Sequence, residues 1–408
     1  MIGLCIANMT KEKYGTPTYV FEEERFIKNY NHLLSEFRKI YPNYQIGYSY
    51  KTNYTPYICK LVQRLGGYAE VVSDMELELA LRLGYKHNKI IYNGPCKGNM
   101  LEEHILNGGI CNIDNLDEAS RIAFIAKENR NQKIEIGIRI NTDIGAGYTS
   151  RFGIEENSEE LSEVISILKH EDNICIVGIH CHISRARGIE SWKCRINNLI
   201  KIADVVIDGT PKYIDVGSGM FGEMDDSLAA QFDMHIPNYE EYALVVAGEM
   251  KNRYGTSSNA PILISEPGTT VVSNYISIIT KVDNIKKNKG IYFATVDSSY
   301  YNIGEICLMK KLPHMVIRDG ALMNKKTKNS KNIMGYTCLE QDCIYKGFDE
   351  DIKPGDIIVF GNVGGYSIVS KPPFIRPNCA LVVSKEDGTL EVIKKQETFD
   401  DIFCTFSF

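Results

Sequence analysis

Short apolar runs alternate with longer amphipathic stretches over residues 26–271. Apolar residues recur at three-to-four spacing in the stretches, which predicts helices at Glu76–Leu83, Leu116–Glu128, Ser158–Lys169 and Tyr239–Tyr254. Eight β/α units in about 250 residues predict a TIM barrel, a closed ring of parallel strands surrounded by helices. The eight predicted strands are Tyr44–Tyr50, Ala69–Val72, Ile90–Tyr92, Ile110–Ile113, Ile134–Ile140, Ile174–Ile179, Tyr213–Val216 and Ile262–Ser265.

The pattern changes after Thr270. Runs of Val, Ile and Tyr continue, but helical spacing becomes rare and turn residues interrupt the runs. We therefore predict that residues 26–271 form the barrel, and that residues 1–25 and 272–408 together form a mostly β domain. The stretch Asn324–Lys331 is rich in Lys and Asn, which predicts an exposed loop. The interrupting turns are Asn288–Gly290, Lys353–Asp356 and Glu386–Gly388.

Composition restricts the functions that are open to this chain. Its 408 residues are 44% hydrophobic and 24% charged, which is ordinary for a soluble globular protein. A net charge of -6 and a pI near 5.9 predict neither a nucleic-acid partner nor a basic surface. The apolar stretch Met1–Met9 is too short for a membrane span and lacks the basic start of a signal peptide. The 12 cysteines lie singly, so we expect no metal site and a reducing cytoplasm.

In a TIM barrel, catalytic residues lie just past the C-terminal ends of the strands. The residues that follow each predicted strand are therefore candidates for an active site. They include a lysine, an arginine, two histidines, a carboxylate and a Gly-rich turn. In chain order they are Lys51, Asn93, Arg139, Asn141, His180, His182, Gly217–Gly219 and Glu266–Gly268.

These residue types suit pyridoxal-phosphate chemistry, in which a lysine forms an imine and the cofactor ring accepts electrons released at Cα. Lys51 would supply the amine, Glu266 would keep the ring nitrogen protonated, and His182 would stack on the ring. Backbone N–H groups of the Gly217–Gly219 turn would bind the phosphate. Each signal alone is weak. A lysine at a strand end is usually a solvated charge, His180 is predicted to be structural, and the turn could be only a tight connection.

Nine short segments match motifs of one family: Tyr14–Val20, Tyr48–Asn53, Glu70–Ser73, Asn93–Lys97, Ser150–Gly153, Gly178–His182, Glu266–Gly268, Cys338–Asp342 and Gly364–Tyr366. With them, the chain resembles the fold-type III pyridoxal-phosphate decarboxylases, which include diaminopimelate, ornithine and arginine decarboxylases. The resemblance covers nearly the whole chain. It implies an alanine-racemase-like TIM barrel followed by a mostly β domain, with pyridoxal 5'-phosphate as the cofactor.

The resemblance also implies a homodimer whose two active sites are shared between subunits. Cys338 would reach the Lys51 of the other subunit and protonate or guard the reacting carbon after carbon dioxide leaves. Arg151 and Asp342 would form an ion pair between subunits. A buried core thiol is the alternative for Cys338. The implied cofactor-binding residues are Lys51, Glu70, Arg139, His182, Ser218, Gly219, Glu266, Gly268, Thr269 and, at the phosphate, Tyr366.

Departures from the family pattern concern the substrate. Thr269 stands where the family often has an arginine that anchors the cofactor phosphate or the substrate. Arg185 or Arg187 could replace that charge or merely face solvent. Leu339 stands where an acidic residue commonly binds a distal amine, and Glu340 comes one place later. Neither ornithine nor diaminopimelate is therefore predicted as the substrate. The implied substrate contacts are Arg151, Arg185, Glu340 and Asp342.

Three segments are most similar to a less characterised branch of the family: Ser184–Trp192, Cys338–Asp342 and Lys371–Ile375. That branch is associated with specialised-metabolite clusters and includes the decarboxylase domain of the microcin C pathway. The similarity implies an unusual amino acid, or an amino-acid group carried on a larger molecule, as the substrate.

Three other functions remain open at this point. An amino-acid racemase on the same barrel would commonly have an arginine, not Glu266, at the ring nitrogen. A non-catalytic partner protein could have kept the scaffold, although the presence of Lys51 and Cys338 speaks against it. In a barrel enzyme without pyridoxal phosphate, Lys51 would be a general base. The preferred prediction is decarboxylation of an amino acid through a Schiff base at Lys51.

Overall fold

The computed structural model describes all residues from Met1 to Phe408. It divides into two compact units, a barrel of residues 31–221 and 235–270 and a β unit of residues 1–30, 222–234 and 271–408. Every helix is too short or too polar to cross a lipid bilayer. The chain begins with α1 (Leu4–Tyr14), β1 (Thr18–Glu22) and α2 (Glu23–Ile40).

Eight parallel strands close into a ring, which confirms the predicted TIM barrel. The ring runs β2-β3-β4-β5-β6-β8-β9-β10 and returns to β2, while β7 is a two-residue extension beside β6. Each predicted strand is present, with bounds that differ by at most one residue. The strands are β2 (Tyr44–Ser49), β3 (Tyr68–Val71), β4 (Ile90–Tyr92), β5 (Ile110–Ile113), β6 (Ile134–Asn141), β7 (Ile154–Glu155), β8 (Ile174–His180), β9 (Tyr213–Asp215) and β10 (Ile262–Ser265).

Helices follow the barrel strands, and polar caps begin several of them. The side chains of Ser73, Asn115, Ser158 and Asn238 each accept a hydrogen bond from a backbone N–H of the first turn, as N-cap residues do. All four helices predicted from the sequence are confirmed. The helices are α3 (Pro56–Arg64), α4 (Asp74–Arg82), α5 (Leu101–Leu106), α6 (Leu116–Glu128), α7 (Glu159–Lys169), α8 (Ile189–Val206), α9 (Asp226–Ala229), α10 (Tyr239–Tyr254) and α11 (Thr269–Val272).

The β unit contains a ten-stranded sheet in which β1 lies between β11 and β18. Its apolar core includes Val20, Ile279, Val359 and Val382, all fully buried. The predicted turn at residues 288–290 connects β11 to β12. The remaining elements are β11 (Ile276–Asn288), β12 (Ile291–Val296), α12 (Tyr300–Ile303), α13 (Ile306–Met309), β13 (His314–Arg318), β14 (Ala321–Met323), β15 (Lys326–Met334), β16 (Cys343–Glu350), β17 (Ile357–Phe360), β18 (Ala380–Ser384), β19 (Leu390–Lys394) and α14 (Phe399–Phe403).

The loop predicted at Asn324–Lys331 is wrong, because most of that stretch belongs to β15. Lys326 forms ion pairs of 2.8 and 2.7 Å with Asp349 and Glu350 of the antiparallel neighbour β16. Lys331 is buried, and its ammonium donates to the Glu350 carbonyl at 3.5 Å. Cross-strand pairing therefore stabilises a strand whose own sequence is polar.

Residues 222–234 belong to the β unit, although the sequence prediction placed them in the barrel. Their contacts explain this assignment. The Tyr275 hydroxyl donates to Glu223 at 3.1 Å, and the Gln231 amide donates to the Lys311 carbonyl at 2.7 Å. An insertion after β9 thus packs with the later part of the chain.

Candidate active site

Lys51 lies at the C-terminal end of β2, in a single turn of 3-10 helix formed by residues 50–52. Its ammonium donates to Glu70 Oε2 at 2.6 Å, and the Ser49 hydroxyl donates to the same oxygen at 2.5 Å. The Glu70 side chain is 1% exposed, whereas that of Lys51 is 32% exposed. A buried carboxylate therefore holds a lysine whose side chain is still partly exposed.

Glu266 follows β10 and lies among His180, Asp215 and Asn93, all of them buried. It accepts hydrogen bonds from Asn93 Nδ2 at 2.5 Å and from His180 Nε2 at 3.2 Å. Burial acts to raise the pKa of Glu266, but His180 and the Lys51 charge outweigh burial and hold that pKa below its usual range. Burial and the Glu266 charge raise the pKa of Asp215 well above its usual value. The proton of this pair therefore stays on Asp215, and Glu266 is an anion.

A chain of amide groups supports Glu266 from inside the barrel. Asn112 Nδ2 donates to Asn93 Oδ1 at 2.9 Å, and the Tyr213 hydroxyl donates to Asn112 Oδ1 at 2.8 Å. Room for the Tyr213 ring depends on Gly178, where a Cβ atom would come within 2.1 Å of the ring. Asn112 and Asp215 were not predicted as site residues. The signal that could have found them is a polar side chain inside an otherwise apolar strand.

His182 lies two residues beyond His180 and packs against the Gly-rich turn. The Ser218 backbone N–H donates to His182 Nδ1 at 3.0 Å, so Nε2 carries the hydrogen of the neutral ring. Burial, followed by the Lys51 charge, holds the pKa of His182 well below its usual value. At Gly217, φ is +57°, and a Cβ atom there would meet the His182 Cβ at 2.7 Å. Glycine at 217 thus allows the turn to touch an uncharged imidazole.

Arg195, on α8, binds the backbone of the Gly-rich turn and was not predicted from the sequence. Its fully buried guanidinium donates to the carbonyls of Val216, Ser218 and Ile183 at 2.8 to 3.0 Å. Its Nε atom has no hydrogen-bond partner. The buried positive charge, which is bound by three carbonyls and lies over the Trp192 ring, makes the neighbouring turn favourable for an anion. The role of this turn in binding a phosphate group stays a prediction.

Arg139 is positioned by its neighbours in the barrel. Its guanidinium forms a 3.2 Å ion pair with Asp114, lies over the Phe152 ring, and is within 3.4 Å of the His182 carbonyl. Arg139 is buried, so a structural role in fixing the His182 loop accounts for these contacts.

Other predicted barrel residues lie near the same strand ends. Gly268 packs so closely on Thr52 that a Cβ atom would lie 2.0 Å from its hydroxyl.

The remaining predicted barrel residues are more exposed. Arg151 and Arg185 are exposed, and their guanidinium groups lie over the rings of Phe152 and Tyr148. Arg187 is half-buried over the Phe221 ring. Thr269 is half-buried at the start of α11.

In the β unit, the loop that carries Cys338 is held by Asp342. The buried Asp342 carboxylate accepts hydrogen bonds from the Thr337 backbone at 3.1 Å, the Thr337 hydroxyl at 2.7 Å and the Tyr300 backbone at 2.9 Å. This is the environment of a loop-shaping residue, not of a carboxylate open to substrate or to an arginine. Cys338 is exposed, in contrast to the buried thiol that was the alternative. Glu340 and Cys338 line one cavity of about 330 Å³, and Tyr366 is 44% exposed.

The residues around Lys51 fit pyridoxal phosphate. A partly exposed lysine after β2, a carboxylate held ionised after β10 and a neutral imidazole after β8 lie at the C-terminal ends of the barrel strands. A Gly-rich turn above a buried guanidinium completes the set. Lys51 would hold the carbonyl carbon of the cofactor, Glu266 its ring nitrogen, and the Gly217–Gly219 turn its phosphate.

Comparison with known proteins agrees with this chemistry. Residues 27–273, more than half of the chain, match the family described as "Pyridoxal-dependent decarboxylase, pyridoxal binding domain". Among characterised relatives, the diaminopimelate decarboxylase of Methanothermobacter thermautotrophicus is 26% identical over 98% of this chain and 94% of its own length. That of Methanocaldococcus jannaschii is 27% identical over 96% of this chain and 91% of its own length.

Solved structures show the same fold. A diaminopimelate decarboxylase from M. jannaschii in complex with L-lysine superposes with a TM-score of 0.84 at 24% identity, covering 98% of this chain and 94% of that one. A Helicobacter pylori diaminopimelate decarboxylase mutant, also with L-lysine, gives 0.82 at 23% identity, covering 97% and 98%. These structures share the barrel followed by a β domain.

Proposed function

The chain belongs to the pyridoxal-dependent decarboxylase family, and on that premise we propose that Lys51 binds the cofactor while Glu266 holds its ring nitrogen. The protein is a carboxy-lyase that acts on an amino acid and uses pyridoxal 5'-phosphate. When bound, the cofactor supplies an electron sink for the electron pair that the departing carboxylate leaves behind. The protein's own groups bind and orient the reactants and hold the protons.

The two hydrogen bonds that Glu266 accepts in its buried position carry this proposal. Hydrogen bonds from Asn93 and His180 stabilise the Glu266 anion in a buried position. An anion at that place keeps a ring nitrogen protonated and so strengthens the electron sink. A racemase would commonly place an arginine there, so Glu266 favours decarboxylation.

We propose a homodimer in which Cys338 of one copy reaches Lys51 of the other. Support comes from the exposed thiol of Cys338, which lies on a loop that Asp342 holds in shape. A thiol that hands a proton to the reacting carbon must stay reduced. All 12 cysteines are free thiols, and the predicted reducing cytoplasm would keep Cys338 in that state.

We propose that the substrate differs from diaminopimelate at its distal end. The curated relatives named above are diaminopimelate decarboxylases, but two positions of this chain depart from the family pattern. Thr269 replaces an arginine, and Leu339 replaces an acidic residue that commonly binds a distal amine. An amino acid of specialised metabolism, free or carried on a larger molecule, would need neither of those contacts.

Absorption spectroscopy tests the role of Lys51. The purified chain reconstituted with pyridoxal 5'-phosphate should show a visible band that borohydride bleaches, and Lys51→Ala should abolish the band. Lys60→Ala, an exposed lysine on the following helix, is the matched control and should keep it. A band that survives in Lys51→Ala would refute the assignment.

Mixing two inactive variants tests the shared site. Lys51→Ala and Cys338→Ala should each lose carbon dioxide release. Subunits of the two variants mixed under exchange should recover about a quarter of wild-type activity, because half of the randomly paired dimers are mixed and each has one intact site. No recovery in a mixture shown to exchange subunits would exclude a shared site.

A substrate screen then separates the two substrate classes. Carbon dioxide release should be slow with diaminopimelate and faster with another free amino acid or a carrier-bound one. Diaminopimelate as the best substrate would overturn the substrate proposal and leave the reaction assignment in place.

A further inference from the structure

The Asn93 amide lies between two buried carboxylates. Its nitrogen donates to Glu266 Oε1 at 2.5 Å and to Glu70 Oε1 at 3.3 Å, so one NH₂ group serves two anions. Glu70 in turn accepts the 2.6 Å hydrogen bond from Lys51. The Asn93 amide therefore connects Glu70, which contacts Lys51, to Glu266.

The oxygen of the same amide is also fixed. It accepts from Asn112 Nδ2 at 2.9 Å, and Asn112 Oδ1 accepts from the Tyr213 hydroxyl at 2.8 Å. Each donor in this chain points toward the carboxylates, so the Asn93 amide has one favourable orientation. Gly137 leaves space for the chain, because a Cβ atom there would lie 2.0 Å from the Tyr213 hydroxyl and 2.2 Å from Asn112 Oδ1.

We propose that Asn93 is a positioning residue that partly neutralises Glu70 and Glu266 together, and so sets the proton affinity of the nitrogen that joins Lys51 to the cofactor. The proposal rests on the proposed role of Lys51. In an interior with little water, an N–H group aimed at a carboxylate reduces the negative potential that the carboxylate exerts on its surroundings. Without Asn93, both anions act more strongly on the Lys51 nitrogen.

The charged groups that face Lys51 determine the direction of the effect. Glu70 is in contact with it, and Glu76, Glu266 and His182 interact with it electrostatically. Burial keeps His182 neutral by lowering its pKa, so the surrounding charge is negative. Removing donors from the carboxylates makes the surroundings more negative and favours the protonated nitrogen at Lys51.

The test measures a spectroscopic midpoint on the full chain reconstituted with pyridoxal 5'-phosphate. The visible band of the cofactor joined to Lys51 is lost at alkaline pH when the joining nitrogen loses its proton. We expect the midpoint to rise by roughly half a pH unit or more in Asn93→Ala, about threefold in proton affinity.

Asn173→Ala is the matched control. The Asn173 amide donates to three backbone carbonyls at 3.0 to 3.1 Å in the same barrel, so its loss removes hydrogen bonds without touching a titrating group. Its midpoint should equal that of the wild type. Asn93→Ser, which keeps one hydroxyl donor, should give an intermediate rise and replaces Asn93→Ala if that variant retains no cofactor.

An unchanged or lowered midpoint in Asn93→Ala or Asn93→Ser would overturn the inference. A different result would refute the proposed role of Lys51, namely a visible band that persists in Lys51→Ala. A band that needs Lys51 but ignores Asn93 would remove only the positioning role.

Discussion

Replacing Lys97 by methionine should destabilise the barrel strongly. The Lys97 ammonium uses all three of its hydrogens, donating to Glu118 Oε2 at 2.7 Å, the Asn112 carbonyl at 2.8 Å and the Gly94 carbonyl at 3.1 Å. Its side chain is 0% exposed and that of Glu118 is 7% exposed. Lys97→Met fills similar space but leaves the buried Glu118 charge without its counter-ion.

The expected loss can be estimated from these contacts. Removing one partner of a buried ion pair costs about 3–5 kcal/mol of unfolding free energy. Glu118 keeps one donor, the Asp114 backbone N–H at 2.9 Å, so we expect a value near 3 kcal/mol, the lower end. Glu118→Gln keeps an acceptor and should cost about 2 kcal/mol. The double variant should lose less than the sum by about 1.5 kcal/mol.

Urea denaturation of the apoprotein measures these free energies. Arg253→Met is the control, because the Arg253–Asp204 pair has a similar length of 2.7 Å but half-exposed side chains. It should cost less than about 1 kcal/mol. A Lys97→Met loss no larger than this control, or strictly additive losses in the double variant, would refute the argument.

Two further predictions concern buried carboxyl groups. Burial and the Glu266 charge raise the pKa of Asp215 well above its usual value, so Asp215→Asn should stay within about 1 kcal/mol of wild-type stability at pH 7. A loss of several kcal/mol in urea denaturation would show that Asp215 is ionised. Burial, opposed by the Val72 N–H, raises the pKa of Glu76 from 4.5 to about 7. The stability that the protonated Glu76 contributes is complete below pH 4.5 and is lost as the pH rises through 7. Glu76→Gln should therefore gain stability relative to wild type between pH 5 and 8. A stability difference between the two proteins that stays constant over this range would contradict this.

Much of the fold could be predicted from the sequence because local pattern and tertiary burial agree there. Strands such as Ile90–Tyr92 are apolar and fully buried, which is typical of parallel barrel strands. The strand Lys326–Met334 could not be predicted in this way. Its stability depends on the ion pairs of Lys326 with Asp349 and Glu350, 23 and 24 residues further along the chain, and a local pattern contains no information about such partners.

The residues of the candidate site also differ in how far the sequence could predict them. Lys51, His182 and Glu266 could be proposed because catalytic residues of a barrel follow its strands. His180 was predicted to be structural, and the structure places it in contact with Glu266. Asn112 and Arg195 could not, since their functions depend on which groups their side chains reach across the barrel. The hydrogen bond from the Ser218 N–H to His182 is likewise a contact that no sequence motif specifies.

Donor count explains why Glu266, and not Asp215, is the anion at the end of the site. The two carboxyl groups and His180 offer ligand atoms within 4.8 Å of one another, too close for both acids to be ionised in a buried site. Glu266 has side-chain donors on both oxygens, Asn93 on one and His180 on the other. Asp215 has the Gly217 backbone N–H on Oδ1 and no partner on Oδ2. The hydrogen bonds therefore favour the charge on Glu266, and Asn93 controls both that charge and the Glu70 charge at Lys51.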